Sequence, residues 1–80
     1  MRVSTSAELG SIIRVARKKN GITQTDFALL MGISHVTLRR IEQGHPGVNL
    51  GLVFQVMDEL GVHLEAEVPD TENPSEEGWG

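Results

Sequence analysis

The residues of this chain that could do chemistry are mostly cations and hydrogen-bond donors. All seven lysines and arginines lie between Arg2 and Arg40, opposed up to Val48 by three acids, Glu8, Asp26 and Glu42. From Asn49 to Gly80 there are eight acids and no lysine or arginine. One half of the chain would therefore favour a polyanion and the other would repel it; a solvated surface with a chance asymmetry is the alternative. An arginine fork can grip phosphate or the edge of a base, which makes the cluster a binding surface rather than a reactive one. Catalysis finds little footing, because there is no cysteine, no glycine-rich phosphate loop and no nucleophile with a base beside it. The histidines His35, His45 and His63 are far apart and lack a cysteine or carboxylate at metal-ligand spacing. The chain is thus expected to be no enzyme and to hold no metal or other cofactor.

Cations on a binding surface need rigid elements to aim them, and the apolar spacing predicts four helices. The first runs from Ser6, as N-cap, to Asn20, with Leu9, Ile12, Ile13 and Ala16 on one stripe, Arg14, Arg17 and Lys18 on the other face, and Gly21 as the stop. Thr23 caps a short second helix with Asp26 at its third position, close to a capping box, and Gly32 ends it. Ser34 caps a third, with Leu38 and Ile41 inward and Gln43-Gly44 closing it before the turn HPG. The fourth extends from Asn49 to Leu60, with Leu50, Val53, Phe54, Met57 and Leu60 as its apolar stripe and Gly61 behind. VHLEAEVP then alternates apolar and polar as a half-buried strand does, and PDTENPSEEGWG has the composition of a disordered acidic tail. The resulting division is a helical domain over residues 6–61, a strand over 62–68 and a tail over 69–80. The opening MRVSTSAELG lacks a secretory apolar run and no stretch reaches the roughly 20 apolar residues of a membrane span, so a soluble intracellular protein is expected.

Between Thr23 and Gln43 the stretch TQTDFALLMGISHVTLRRIEQ meets the demands of a helix-turn-helix. Ala28 is small where the two helices would cross, and Gly32 stands where the chain must reverse with a positive φ. Phe27, Met31, Ile33, Leu38 and Ile41 are apolar where the helices must be held at a fixed angle. A hairpin used only for packing is the alternative, though it would not need basic residues on the face of its second helix.

With LGSIIRVARKKNGITQ, DFALLMGIS and TLRRIEQG, the sequence resembles the Xre family of DNA-binding domains, which includes the lambdoid phage repressors, over about residues 9 to 61. The resemblance implies a mainly α, lambda-repressor-like domain of four to five helices whose third helix enters the major groove. On that helix Ser34, His35, Val36, Arg39 and Arg40 point away from the core stripe and are the candidates for base contacts, although either arginine could instead only neutralise the DNA backbone. Gln24, at the start of the second helix, together with Thr23 and Thr37, is expected to hold phosphate. Arg14 and Lys18 are either phosphate contacts or solvated charge. The resemblance further implies an ion pair between Arg17 and Glu42, orienting the third helix.

The strand departs from the phage repressors, where a fifth helix commonly follows. It needs a partner, either Arg2-Val3-Ser4 of the same chain or its own copy in a second chain, which would bury Val62, Leu64, Ala66 and Val68. The second arrangement makes a homodimer that would bind an inverted-repeat operator with a steep salt dependence. A helix-turn-helix domain with such a strand resembles the HipB-type antitoxins, over residues 9 to about 68. That resemblance implies an autorepressor of a toxin operon in the bacterial cytoplasm, nucleoid-associated, that restrains a HipA-type serine/threonine kinase toxin. The tail, with Glu72, Glu76, Glu77 and Trp79, is expected either to dock on that partner or to serve only solubility. An adaptor that does not bind DNA and an Xre-type repressor without a toxin are the competing readings.

Overall fold

Each helix starts where a short polar side chain can take over a backbone N–H that the helix leaves unpaired. In the computed structural model, which describes residues 2–69, those starts give α1 (Ser6–Lys19), α2 (Gln24–Met31), α3 (His35–Gln43) and α4 (Leu50–Leu60). Thr23, Ser34 and Asn49 cap α2, α3 and α4, accepting from the N–H of Asp26, Thr37 and Leu52. α1 differs from the sequence reading by one residue, since its cap is Thr5 and not Ser6. Glu8 decides this: its N–H donates to Thr5 Oγ1 at 3.1 Å while its carboxylate takes the Ser4 N–H at 3.0 Å. Ser6 has another use, donating its hydroxyl to the Gly44 carbonyl at the far end of α3, 2.8 Å away.

The core forms where the four apolar stripes meet, with Ile13 of α1, Phe27 of α2, Leu38 of α3 and Val56 of α4 fully buried. Burying one such side chain is worth roughly 1.5–3 kcal/mol. Ala28, Ile41, Val53 and Met57 complete the buried set, and Leu9, Met31, Ile33, Leu60 and Val62 pack against it in part. α4 corrects the expected stripe: Leu50 is 65% and Phe54 50% exposed, while Val56, not among the residues expected inside, is fully buried. The helix is apolar over an arc wider than one contact can cover, so Val53, Val56, Met57 and Leu60 turn inward and the other edge faces out.

α1 packs chiefly on α3, and it can do so because of one residue in the middle of α1. A Cβ placed on Gly10 would lie 2.5 Å from the Glu42 carbonyl oxygen and 2.6 Å from that of Ile41. Helix propensity favours Gly10→Ala by about 1 kcal/mol, but forcing α1 off α3 should outweigh it, for a net loss of about 1–3 kcal/mol. Thermal unfolding reads the sign directly, and a Gly10→Ala protein melting higher than the parent would mean that the two helices do not pack this closely.

From Val62 to Val68 the chain carries no regular secondary structure within the single molecule. Val62 N–H folds back to the Met57 carbonyl at 2.8 Å. Among the described residues, no backbone hydrogen bond joins the segment that follows to Arg2–Ser4, so pairing within the chain, one of the two expected answers, does not form. Leu64 is 43% and Val68 48% exposed, and Ala66 is exposed as well. The expected tail residues Glu72, Glu76, Glu77 and Trp79 lie outside the described residues.

Candidate nucleic-acid interface

α2 and α3 are joined by Gly32, Ile33 and Ser34, and the geometry of that turn comes from a left-handed residue. Gly32 has φ 71°, and the Ile33 N–H reaches back to the Ala28 carbonyl at 3.0 Å. Ser34 then leaves in an extended conformation and caps α3. Its Oγ accepts from the Thr37 N–H at 3.0 Å and lies 2.8 Å from Thr37 Oγ1, so both hydroxyls are engaged with one another at the helix entrance.

The core stripe of α3, Leu38 and Ile41, faces inward, and the remaining side chains sort by their spacing. His35, Val36 and Arg39 are exposed, and Arg39 stands four residues after His35 and three after Val36, which sets it beside both on the helix surface. Thr37 and Arg40, three apart, line a cleft of about 330 Å³ with His45, Gly47, Val48, Asn49 and Leu52, against the start of α4. The structure thus separates the two arginines: Arg39 accompanies the outward face and Arg40 the side of the cleft. His45, which the sequence reading did not single out, joins the second group; only the turn HPG, which brings the chain back beside α3, could have pointed to it. Arg14 and Lys18 are exposed on α1, and Thr23 is exposed with its hydroxyl occupied as the α2 cap.

Behind this surface lies a buried polar network. Arg17 Nε donates to Glu42 Oε2 at 2.7 Å and its NH2 group donates to Oε1 at 3.0 Å, with 7% and 2% of the two side chains exposed. Such a paired fork is the strong form of the interaction. The remaining terminal nitrogen, NH1, donates to the Ile22 carbonyl at 2.8 Å, tying the α1–α2 loop to the pair. Gln24 extends the network outward, donating its Nε2 to Glu42 Oε1 at 3.1 Å while its Oε1 meets His35 Nε2 at 2.6 Å. Gln24 and His35 are the first residues of α2 and α3. Their contact bridges the turn through side chains, and no local pattern announces it.

Two helices set at a fixed angle by a three-residue turn, with the second presenting cations outward, form a helix-turn-helix over α2 and α3. The family model described as "Helix-turn-helix" matches residues 13–66. The chain belongs to the helix-turn-helix family. It is a DNA-binding transcriptional regulator of the Xre type, the family expected from its motifs. A relative in Sinorhizobium fredii, an uncharacterized HTH-type transcriptional regulator called y4mF, is 29% identical over 68 residues, which are 85% of this chain and 90% of the relative. Among solved structures the fold is similar to a chain of the HipA-HipB-O2-O3 complex, with a TM-score of 0.74, 20% identity and coverage of 88% of this chain and 99% of that one. A chain of the HipB-O1-O2 complex gives 0.75 at 20% identity, covering 85% and 99%. No helix among the described residues of this helix-turn-helix protein is long and apolar enough to cross a membrane.

Proposed function

We propose that this helix-turn-helix regulator is an autorepressor and antitoxin, binding an inverted-repeat operator as a homodimer and restraining a HipA-type kinase in the bacterial cytoplasm. The observation that carries this reading is the extent of the likeness to HipB, which takes in 85–88% of this chain and 99% of the HipB-complex chains compared. That likeness is one of fold, and the chemistry on the surface supplies the rest. α3 is the helix laid in the major groove, where His35, Val36 and Arg39 meet base edges and Thr37 and Arg40 meet phosphate. Gln24 keeps one Nε2 hydrogen free for a phosphate when the other is given to Glu42. Two copies joined through residues 62–68 would present two such helices to successive turns of one DNA face, about 34 Å apart.

The division of the arginines has a measurable consequence. Arg39→Ala should relax discrimination at one operator position by about 1–3 kcal/mol, whereas Arg40→Ala should weaken all sequences alike and lower the salt slope by about one ion. Binding titrations against a set of single-base operator variants at several salt concentrations would read both effects, and interchanged results would exchange the roles of the two residues.

The partner is tested by affinity capture from the source bacterium with the full chain and with a chain ending at Pro69. Recovery of a HipA-like kinase supports the antitoxin reading, and its loss on truncation assigns the contact to residues 70–80. Capture of DNA and the protein's own copies without a kinase would leave a dimeric repressor, a role in keeping with the description of the Sinorhizobium fredii relative as a transcriptional regulator.

A further inference from the structure

The hydrogen bonds around Gln24 determine which of its ends faces which neighbour. The Glu42 carboxylate, gripped by Arg17, has only acceptors to offer, so the end of the Gln24 side chain 3.1 Å from Glu42 Oε1 must be the amide nitrogen. The carbonyl end, Oε1, is thereby turned to His35, and a carbonyl can only accept. The ring nitrogen 2.6 Å away, Nε2, must then carry a hydrogen. In the neutral imidazole this leaves Nδ1 without a proton, an acceptor on an exposed ring, and Nδ1 makes no hydrogen bond among the described residues.

We propose that His35 is a specificity-determining reader of an exocyclic base amine, held as its Nε2–H tautomer by the Glu42 carboxylate acting through the Gln24 amide. This rests on the reading that α3 lies in the major groove. An acceptor there matches the N6 amine of adenine or the N4 amine of cytosine, and it is mismatched to the O6 and N7 of guanine and the O4 of thymine, which are themselves acceptors. Glu42 and Gln24 touch no base edge in this scheme for His35; they are its positioning residues. The ring is oriented before DNA arrives, so the contact loses less freedom on forming than a free histidine would.

Two measurements on the full chain test the proposal. Nitrogen-15 chemical shifts of the His35 ring, followed in the free protein as the pH is raised until they stop changing, should show a protonated Nε2 and an unprotonated Nδ1 in the neutral ring. In Gln24→Ala the bond to Nε2 should be lost and the ring shifts should move toward those of an unrestrained histidine. Selection from a randomised duplex library should enrich adenine or cytosine at one position of each half-site. In His35→Ala that preference should fall by about threefold to tenfold with the rest of the motif intact, and in Gln24→Ala it should weaken along with any general loss of affinity. An Nδ1–H ring in the parent protein, or guanine or thymine at the position that His35 controls, would overturn the proposal. So would an unchanged motif in His35→Ala. A library from which the parent enriches no motif would sink the DNA reading of α3 and this proposal with it, even if the ring shifts came out as expected.

Discussion

Arg17→Ala should destabilise the protein by about 3–5 kcal/mol, because it leaves the Glu42 carboxylate buried without its counter-charge. That is a large part of the 5–15 kcal/mol by which a domain is ordinarily stable. The side chain of Glu42 is 2% exposed, so water cannot easily take the place of the guanidinium, and the Ile22 carbonyl loses its donor in the same change. The pair as a whole is a different matter from either partner alone. Arg17→Met combined with Glu42→Leu removes both charges together and should recover most of the stability, since apolar side chains of similar volume fill such a site without a desolvation cost. Denaturant unfolding of the two proteins makes the comparison. An Arg17→Ala protein within about 1 kcal/mol of the parent would show that solvent reaches Glu42 after all. The double variant also isolates what the pair does beyond stability: with Glu42 gone, Gln24 loses the acceptor that fixes its amide, so a well-folded protein should bind DNA with poorer discrimination.

The second large effect concerns the proposed dimer. Leu64→Asp together with Val68→Asp should yield a monomer near the chain mass of 8.7 kDa, and operator affinity should fall by about 10²–10⁴-fold. Both side chains are roughly half exposed in the single chain and lie outside the buried core, so the helices themselves do not depend on them. In a dimer they would face a second copy, where two added carboxylates cannot be buried. The loss of affinity comes from tethering: once one half-site is bound, a linked second copy binds its half-site at high effective concentration, and an unlinked one does not. Light scattering on the purified protein gives the mass and a filter or fluorescence titration the affinity. A variant that stays dimeric would place the interface elsewhere, and the edge of α4 at Leu50 and Phe54 is one further apolar surface that is exposed among the described residues.

The helices were legible because their boundaries are local chemistry. Thr23, Ser34 and Asn49 are cap residues standing before apolar periods, and Gly32, Gly44 and Gly61 stand after them. Even the one-residue error at α1 had a local answer, since Glu8 stands three places after Thr5 and not after Ser6. The edge of α4 that faces out was not legible, because a helix apolar over a wide arc shows the same period whichever part of that arc is buried. Gly10 was equally hidden. A glycine inside a helix reads as a weak helix former, and its reason becomes visible only when the carbonyls of Ile41 and Glu42 stand against it. Of the recognition surface, the residue types could be named from the sequence, but the separation of Arg39 from Arg40 depends on where the α3–α4 turn brings Asn49 and Leu52. The contact between Gln24 and His35 joins two helix starts across the turn, and neither residue alone signals it.

The exit from α4 sets a ruler. Gly61, with φ 72°, and the Val62 N–H bonded to the Met57 carbonyl fix the direction in which the chain leaves the domain. In the proposed dimer the path from one recognition helix to its copy runs through helix packing, this joint and the paired residues 62–68, and the joint is passed through once in each protomer. The number of base pairs between half-sites would then be written into two or three residues that never approach DNA. Lengthening or turning the joint would leave each half-site's sequence preference untouched while changing which spacing is recognised. Related regulators could in this way diverge in their targets without altering a single base contact.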